Sequence, residues 1–260
     1  PMPFPRACGV LLHLTSLPGR FGIGDLGDEA YRCADFLAAA GQRLWQVLPL
    51  GPTGYGDSPY QCFSAFAGNP LLINLERLAQ DGLLRPDEIA NPPAFPANAV
   101  DFGAVIPYKM ALLRRAAERF LSEAPRSQRV AFCDFCDAEV SWLEDYALFM
   151  ALKGAHDGAP WVAWEPELVA RRPDALARRR DELAGPILAH KFMQFQFFRQ
   201  WAELKHYVNT RGIHIIGDVP IFVAHDSADV WARPELFYLD AAGQPTVVAG
   251  VPPDYFSATG

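Results

Sequence analysis

The stretch GPTGYGDSPYQCFSAFAGNP, residues 51–70, carries four glycines, three prolines, two tyrosines, two phenylalanines and one charge, Asp57. Glycine and proline keep such a segment out of helix and strand. Rings beside a carboxylate on an irregular platform suit a ligand with apolar faces and hydroxyl edges. Sugars are of that kind: their C–H faces stack on aromatic rings, and their hydroxyls donate to carboxylate oxygens. A platform already stiffened by proline loses less ordering entropy when it binds. Two later stretches share some of the same residue types. One is Asp218-Val219-Pro220; the other is Gly250-Val251-Pro252-Pro253-Asp254-Tyr255-Phe256-Ser257, which follows a polar turn expected at Asp240-Ala241-Ala242-Gly243. Any one of them can equally be rings capping a core and aspartates capping helices. Three on one face of the fold would weigh towards a sugar.

Other chemistries fit the residues less well. Gly22-Ile23-Gly24-Asp25-Leu26-Gly27 spells G-x-G-x-x-G, which raises a nicotinamide-dependent dehydrogenase as a rival. That fingerprint needs its first glycine at a strand end and an acid about 20 residues on. Here Pro18-Gly19-Arg20-Phe21 intervenes, the later position reads Val47-Leu48-Pro49-Leu50, and Asp25 would repel a pyrophosphate. The glycines are read as turn chemistry. Cys133-Asp134-Phe135-Cys136 lacks a second pair or a nearby histidine to complete a zinc site, and it falls within an expected helix. His13 and His214 fall in apolar runs and are expected to be satisfied core residues. No H-E-x-x-H and no Ser/His pairing stand out, so neither metal nor cofactor is implied.

Composition narrows the classes further. The chain has 260 residues, half of them apolar, and a formal charge of −7. An acidic balance disfavours a phosphate-backbone partner, which needs clustered Lys and Arg. The basic run from Arg171-Arg172 to Arg178-Arg179-Arg180 is interleaved with Asp174, Asp181 and Glu182, and reads as a solvated helix face. No stretch reaches the ~18 apolar residues of a membrane span. Five cysteines, an odd count, fit reduced thiols, and the N-terminus lacks a signal-peptide layout; cytoplasmic residence is expected.

The elements that must position these residues follow from periodicity. Residues 8–17 and 43–50 are short apolar runs, read as buried parallel strands apolar on both faces. Between them, Asp28 to Ala40 carries apolar residues at 30, 33, 34 and 37, with Gly41 beyond: an amphipathic helix. From about 72 to 210 the pattern turns helical, over 107–122, 129–153 and 164–182. A last helix is striped by Met193, Phe197, Trp201, Leu204 and Val208 and closed by Gly212. Ile213 to Asp218 reads as a third strand. Strand–helix–strand, a long helical insertion and a third strand suit the first part of a (β/α)8 barrel, an α/β fold that tolerates insertions at its loops. The expected divisions are 1–71 (first strands, helix and loop), 72–190 (helical insertion) and 191–260 (helix, third strand and the start of a further loop). Three strands cannot close a barrel, so more strands are expected beyond Gly260.

Several motifs together, LLHLTSLPGRFGIGDLG, WQVLPLGPTGYGDSPYQ, SAFAGNP, DYALFMALK, FFRQW, IIGDVPIFVAHDSADVWA and VVAGVPPDYFSATG, resemble the amylomaltases. These 4-α-glucanotransferases, or disproportionating enzymes, belong to the α-amylase-like clan, and the likeness runs from about Arg6 to Gly260. It implies transfer of α-1,4-glucan segments between maltooligosaccharides with retention, through two carboxyl groups about 5–5.5 Å apart. The family draws those carboxyls, the nucleophile with its Arg-x-Asp motif included, from later barrel strands, and the resemblance matches neither to a residue of this chain. The resemblance assigns Asp218 as a support of the sugar site. It assigns Ser58 and Tyr60 to the donor end of the groove, and Asp254 and Phe256 to a loop arching over the cleft. Tyr55 is matched to an aromatic of a second glucan site. An α-glucan hydrolase of the same clan and a non-catalytic glucan-binding fragment remain as alternatives.

Overall fold

The computed structural model describes residues 6–247, 250, 252, 253 and 255. Three strands form one parallel sheet in the order β1 (Gly9–Leu11), β2 (Leu44–Gln46) and β3 (His214–Ile216). Val10 pairs with Trp45, and Trp45 with Ile215. All three are shorter than the apolar runs that announced them. The residue pairing between β1 and β2 ends at Leu11 and Gln46, and after His13 the chain turns into a 3-10 helix at Leu14–Ser16.

The strands are not buried on both faces, as their composition suggested. Trp45, Val47 and Ile213 enter the core on the helix side. Leu11, His214 and Ile216 on the other face are exposed. Apolar composition reports what a strand is able to cover; among the described residues only one face is covered. The two strand histidines are consequently not satisfied core residues. His214 is exposed on β3, and half-buried His13 has a buried Nδ1 with no hydrogen-bond partner.

The helix α1 (Asp28–Ala39) links β1 to β2 and buries Ala30, Ala34 and Leu37, as the spacing predicts. Between β2 and β3 run α2 (Leu75–Gln80), α3 (Pro86–Ala90), α4 (Phe102–Glu123), α5 (Arg126–Ala138), α6 (Val140–Ala155), α7 (Pro166–Val169), α8 (Pro173–Glu182) and α9 (Ala184–Thr210). The expected helix over 129–153 is two helices meeting at Glu139, which caps both. The expected helix over 164–182 is likewise broken, at Ala170–Arg172, where Arg171 has φ 50°. A short α10 (Ala228–Ala232) follows β3. Among the described residues no helix is long and apolar enough to cross a membrane.

The long helix α9 organises the fold. Met193, Phe197, Leu204 and Val208 form its buried stripe, with Trp201 packed partly against the same core. Gly212 ends it at φ 71°, a left-handed conformation that favours glycine. Two buried glutamines on α9 grip backbone from the loop after β2. Gln194 Oε1 accepts the Gly68 N–H at 2.7 Å while its amide donates to Gly68 O at 2.9 Å. Gln200 does the same to Asn74, at 2.8 and 3.3 Å. A side-chain amide can satisfy both backbone groups of one residue, so this loop is registered on the helix much as a strand would be.

The G-x-G-x-x-G segment proves to be an anchoring turn. Its Asp25 accepts from Gly27 N, Asn74 Nδ2 and the fully buried Lys109 Nζ, at 3.0, 2.9 and 3.0 Å. A Cβ on Gly24 would stand 2.0 Å from Leu14 O, and one on Gly27 2.1 Å from Asn74 Nδ2. Close approach dictates glycine there. Most of the basic run is solvated and ion-paired on α8, Arg178 with Glu167 and Arg179 with Glu182. Arg171 departs from it, pairing with Asp145 and lying 4.2 Å from the Trp231 ring centroid.

Candidate functional site

Parallel α/β proteins hold ligands at the C-terminal ends of their strands, and two of the sugar-suited segments, the 51–70 loop and the one at Asp218, meet at that end here. The 51–70 stretch leaves β2 and folds back on itself. Asn69 N–H donates to Leu50 O at 2.7 Å and closes the base. Thr53 and Cys62 form an antiparallel bridge, flanked by bonds from Gly54 N to Gln61 O and from Phe63 N to Pro52 O, at 2.7 and 3.0 Å. The tip is a 3-10 turn, Tyr55–Asp57, in which Gly56 and Asp57 both have positive φ, 66° and 53°. Asp is one of the few side chains that tolerates that geometry. Asp57 therefore serves the turn.

Tyr60, just past the tip, reaches across to the end of β3. Its hydroxyl donates to Asp218 Oδ2 at 2.8 Å over a separation of 158 residues. The hydrogen bond to the carboxylate, with the carboxylate's negative charge, holds the phenol's pKa above its ordinary value of 10.0. The other Asp218 oxygen accepts Val219 N–H at 2.8 Å, so both oxygens of the carboxylate are oriented. Ser58 Oγ accepts Tyr60 N–H at 3.3 Å and fixes the start of the arm. The tyrosine ring is 41% exposed and offers a face to solvent. Beside this pair lies a cavity of about 190 Å³ whose walls include Asp218, Phe66, Phe198 and Trp201. Phe198 and Trp201 of these walls stand on α9, on the helix side of the sheet. A larger cavity, about 820 Å³, opens between the loop after β1 and residues 95–102, and includes neither Tyr60 nor Asp218.

Of the residues singled out in the sequence, Ser58, Tyr60 and Asp218 meet. Tyr55 lies in the tip turn of the same loop. Asp254 and Phe256 lie outside the described residues. The expected polar turn is present: Asp240 Oδ1 accepts from Ala242 N and Gln244 N at 2.8 and 2.9 Å.

Sequence reasoning missed the residues that hold the loops in place. Asp229, on α10, accepts Ala65 N–H at 2.7 Å and Ser64 Oγ–H at 3.3 Å, tying the 51–70 loop to the segment after β3. Burial raises its carboxyl pKa above the ordinary 3.8. Lys153 Nζ, on α6, donates to Gly158 O, Ala159 O and Asp226 Oδ2 at 3.0, 3.3 and 2.5 Å, and lies 5.2 Å from the Phe63 ring centroid. One ammonium thus joins the helical insertion to both site-bearing loops. The only sequence signal was a lone lysine inside the apolar stretch DYALFMALK, and an isolated charge in an apolar helix needs a partner.

Against this geometry, known proteins give a consistent picture. The family described as 4-alpha-glucanotransferase, glycoside hydrolase 77, matches residues 12–260. The 4-alpha-glucanotransferase of Thermus thermophilus is 56% identical over 259 residues, which is 100% of this chain and 51% of the relative. That of Synechocystis sp. is 54% identical over 256 residues, 98% of this chain and 51% of the relative. An amylomaltase from Streptococcus agalactiae, solved in complex with acarbose, superposes with a TM-score of 0.93 at 44% identity, covering 97% of this chain and 51% of that one. The chain spans about half the length of the curated relatives it matches. Sheet, insertion and the loops that bring Tyr60 to Asp218 all lie within the matched span, and by sequence and by fold the chain belongs to the 4-alpha-glucanotransferase family.

Proposed function

We propose that the intact protein is a 4-α-glucanotransferase, moving α-1,4-glucan segments between maltooligosaccharides by a retaining double displacement. The observation that carries the reading is the Tyr60–Asp218 hydrogen bond, 2.8 Å, which joins two ring-and-carboxylate segments at adjacent strand ends in a chain of this family. In this reading the chain supplies the first strands of a (β/α)8 barrel, divided as 1–71, 72–190 and 191–260. The two carboxyls of the chemistry come from further strands of the intact protein.

The roles follow from charge and shape. Retaining transfer passes through an oxocarbenium-like transition state. Asp218, with both oxygens oriented, is a fixed negative group that supports the developing positive charge without reorganising. Tyr60 holds that carboxylate and turns its ring to a glucose face at the donor end, beside Ser58. Asp254 and Phe256 belong to a covering loop, and Tyr55 to a second glucan site. A glycosyl-enzyme reacts with whichever hydroxyl is positioned, so excluding water favours the acceptor sugar. A preference of about 100-fold requires only ~2.7 kcal/mol.

Maltotriose is the test substrate. The intact protein should convert it to glucose and a ladder of longer oligosaccharides, and Asp218→Asn should lower kcat about 100-fold with KM little changed. A variant with altered KM alone would remove Asp218 from its role. Glucose and maltose without longer products would make the protein a hydrolase, and acarbose binding without turnover a glucan-binding protein.

A further inference from the structure

Alternation along the sheet decides which side chains face the helices and which face the open side. Trp45, Val47, Ile213 and Ile215 go to the helix side. The ladder runs past the strand ends: Leu12 N–H donates to Gln46 O at 2.9 Å, and Val47 N–H to Ile216 O at 3.0 Å. On the open face Leu11 is level with Gln46, and Gln46 with Ile216. One pleat further towards the functional end, the corresponding positions are His13, Leu48 and Asp218. Register therefore sets the positions of His13 and Asp218 level on the open face, on either side of Leu48, at the end where Tyr60 arrives.

His13 is also an orphan. Its Nδ1 is buried with no hydrogen-bond partner among the described residues, whereas the next residue, Leu14, enters the core. Burial holds the imidazole's pKa below its ordinary value of 6.5, so the ring is neutral at pH 7 and Nδ1 offers either one proton or one lone pair. Buried polar atoms are nearly always paired. An orphan at a ligand-binding strand end calls for a partner that arrives from elsewhere.

We propose that His13 belongs to the glucan-transfer site, its Nδ1 meeting an oxygen at the strand ends where Asp218 stands on the same open face. That oxygen is either a carboxyl of a further strand or a hydroxyl of the bound sugar. The inference rests on the glucan-transfer reading of the same strand ends.

The test uses the intact protein and three variants, His13→Leu, His13→Asn and His13→Gln. The asparagine amide can stand where Nδ1 stands; the glutamine amide reaches the position of Nε2. His13→Leu should lower kcat/KM on maltotriose about 10- to 100-fold, the worth of one hydrogen bond to a charged or well-oriented group. Asparagine should restore most of the loss and glutamine should not. A fall in kcat with KM and acarbose affinity unchanged identifies a protein carboxyl; a parallel fall in acarbose affinity identifies a sugar hydroxyl. The proposal is overturned if His13→Leu keeps kcat/KM within threefold, or if all three variants fall together. If the unaltered protein neither rearranges maltotriose nor binds acarbose, the reading of the site fails first and His13 falls with it.

Discussion

Asp25 looked in the sequence like a flaw in a dinucleotide motif, an acid where a phosphate should lie. The fold gives it a different task. It is the acceptor for a lysine with no exposure at all, Lys109, and for Asn74 Nδ2 and Gly27 N. Burial pulls the Lys109 pKa down from 10.5, and the Asp25 charge opposes that pull. Lys109→Met would leave a buried carboxylate without its counter-charge, a change that costs about 3–5 kcal/mol when one partner of a buried pair is removed. Urea denaturation of the variant should show that loss. A midpoint matching the parent would mean that Asn74 and Gly27 satisfy Asp25 by themselves. Nothing in the residue order marked Lys109 as Asp25's partner, 84 positions away. By contrast, the aromatic and acidic character of 51–70 was legible, because glycine, proline and ring content are local properties.

Helices carry the second scale. The amphipathic stripes of α1 and α9 were readable because a buried face repeats every 3.6 residues whatever lies opposite. The break between α5 and α6 was not, since Glu139 is a good helix former and only packing bends the chain there. Helix-to-helix electrostatics follow the same division. Glu88, in α3, is gripped by Arg119 of α4 at 3.0 and 3.2 Å and accepts the Arg85 N–H at 2.6 Å. Chiefly the Arg119 hydrogen bonds hold its carboxyl at about 2, below the ordinary 4.5. A depressed acid stabilises the fold fully above its unfolded-state pKa and loses that contribution as pH falls through the folded one. Stability should therefore decline between pH 4.5 and about 2. Thermal scans across that window should show a shallower decline for Glu88→Gln, with lower stability at pH 7. Parallel curves for parent and variant would exclude Glu88 as a source of the acid sensitivity.

At the scale of the whole molecule, the sheet is covered on its helix side and bare on the other. Among the described residues Leu11 is 57% exposed and Ile216 37% on that face. Apolar strand side chains left bare on one face suit cover by another part of a protein. The catalytic carboxyls assigned to further strands would belong with that cover. The 260-residue chain alone should consequently leave maltotriose unchanged while the intact protein rearranges it. Chromatography of the sugars after prolonged incubation decides the matter, and disproportionation by the mass-verified chain would relocate the carboxyls to within it.

Family, a parallel α/β arrangement with a helical insertion, and the ring-bearing loop were determined by the sequence alone, because each rests on local composition, periodicity or long motifs that need no partner to be recognised. The tertiary structure decided which of those residues act together. It set Tyr60 against Asp218 across 158 positions, turned Asp57 to the service of a turn, and left one nitrogen of His13 unpaired at a strand end. Hydrogen bonds and desolvation depend on distance in space, and chain order carries that distance only where neighbours in sequence are also neighbours in the fold.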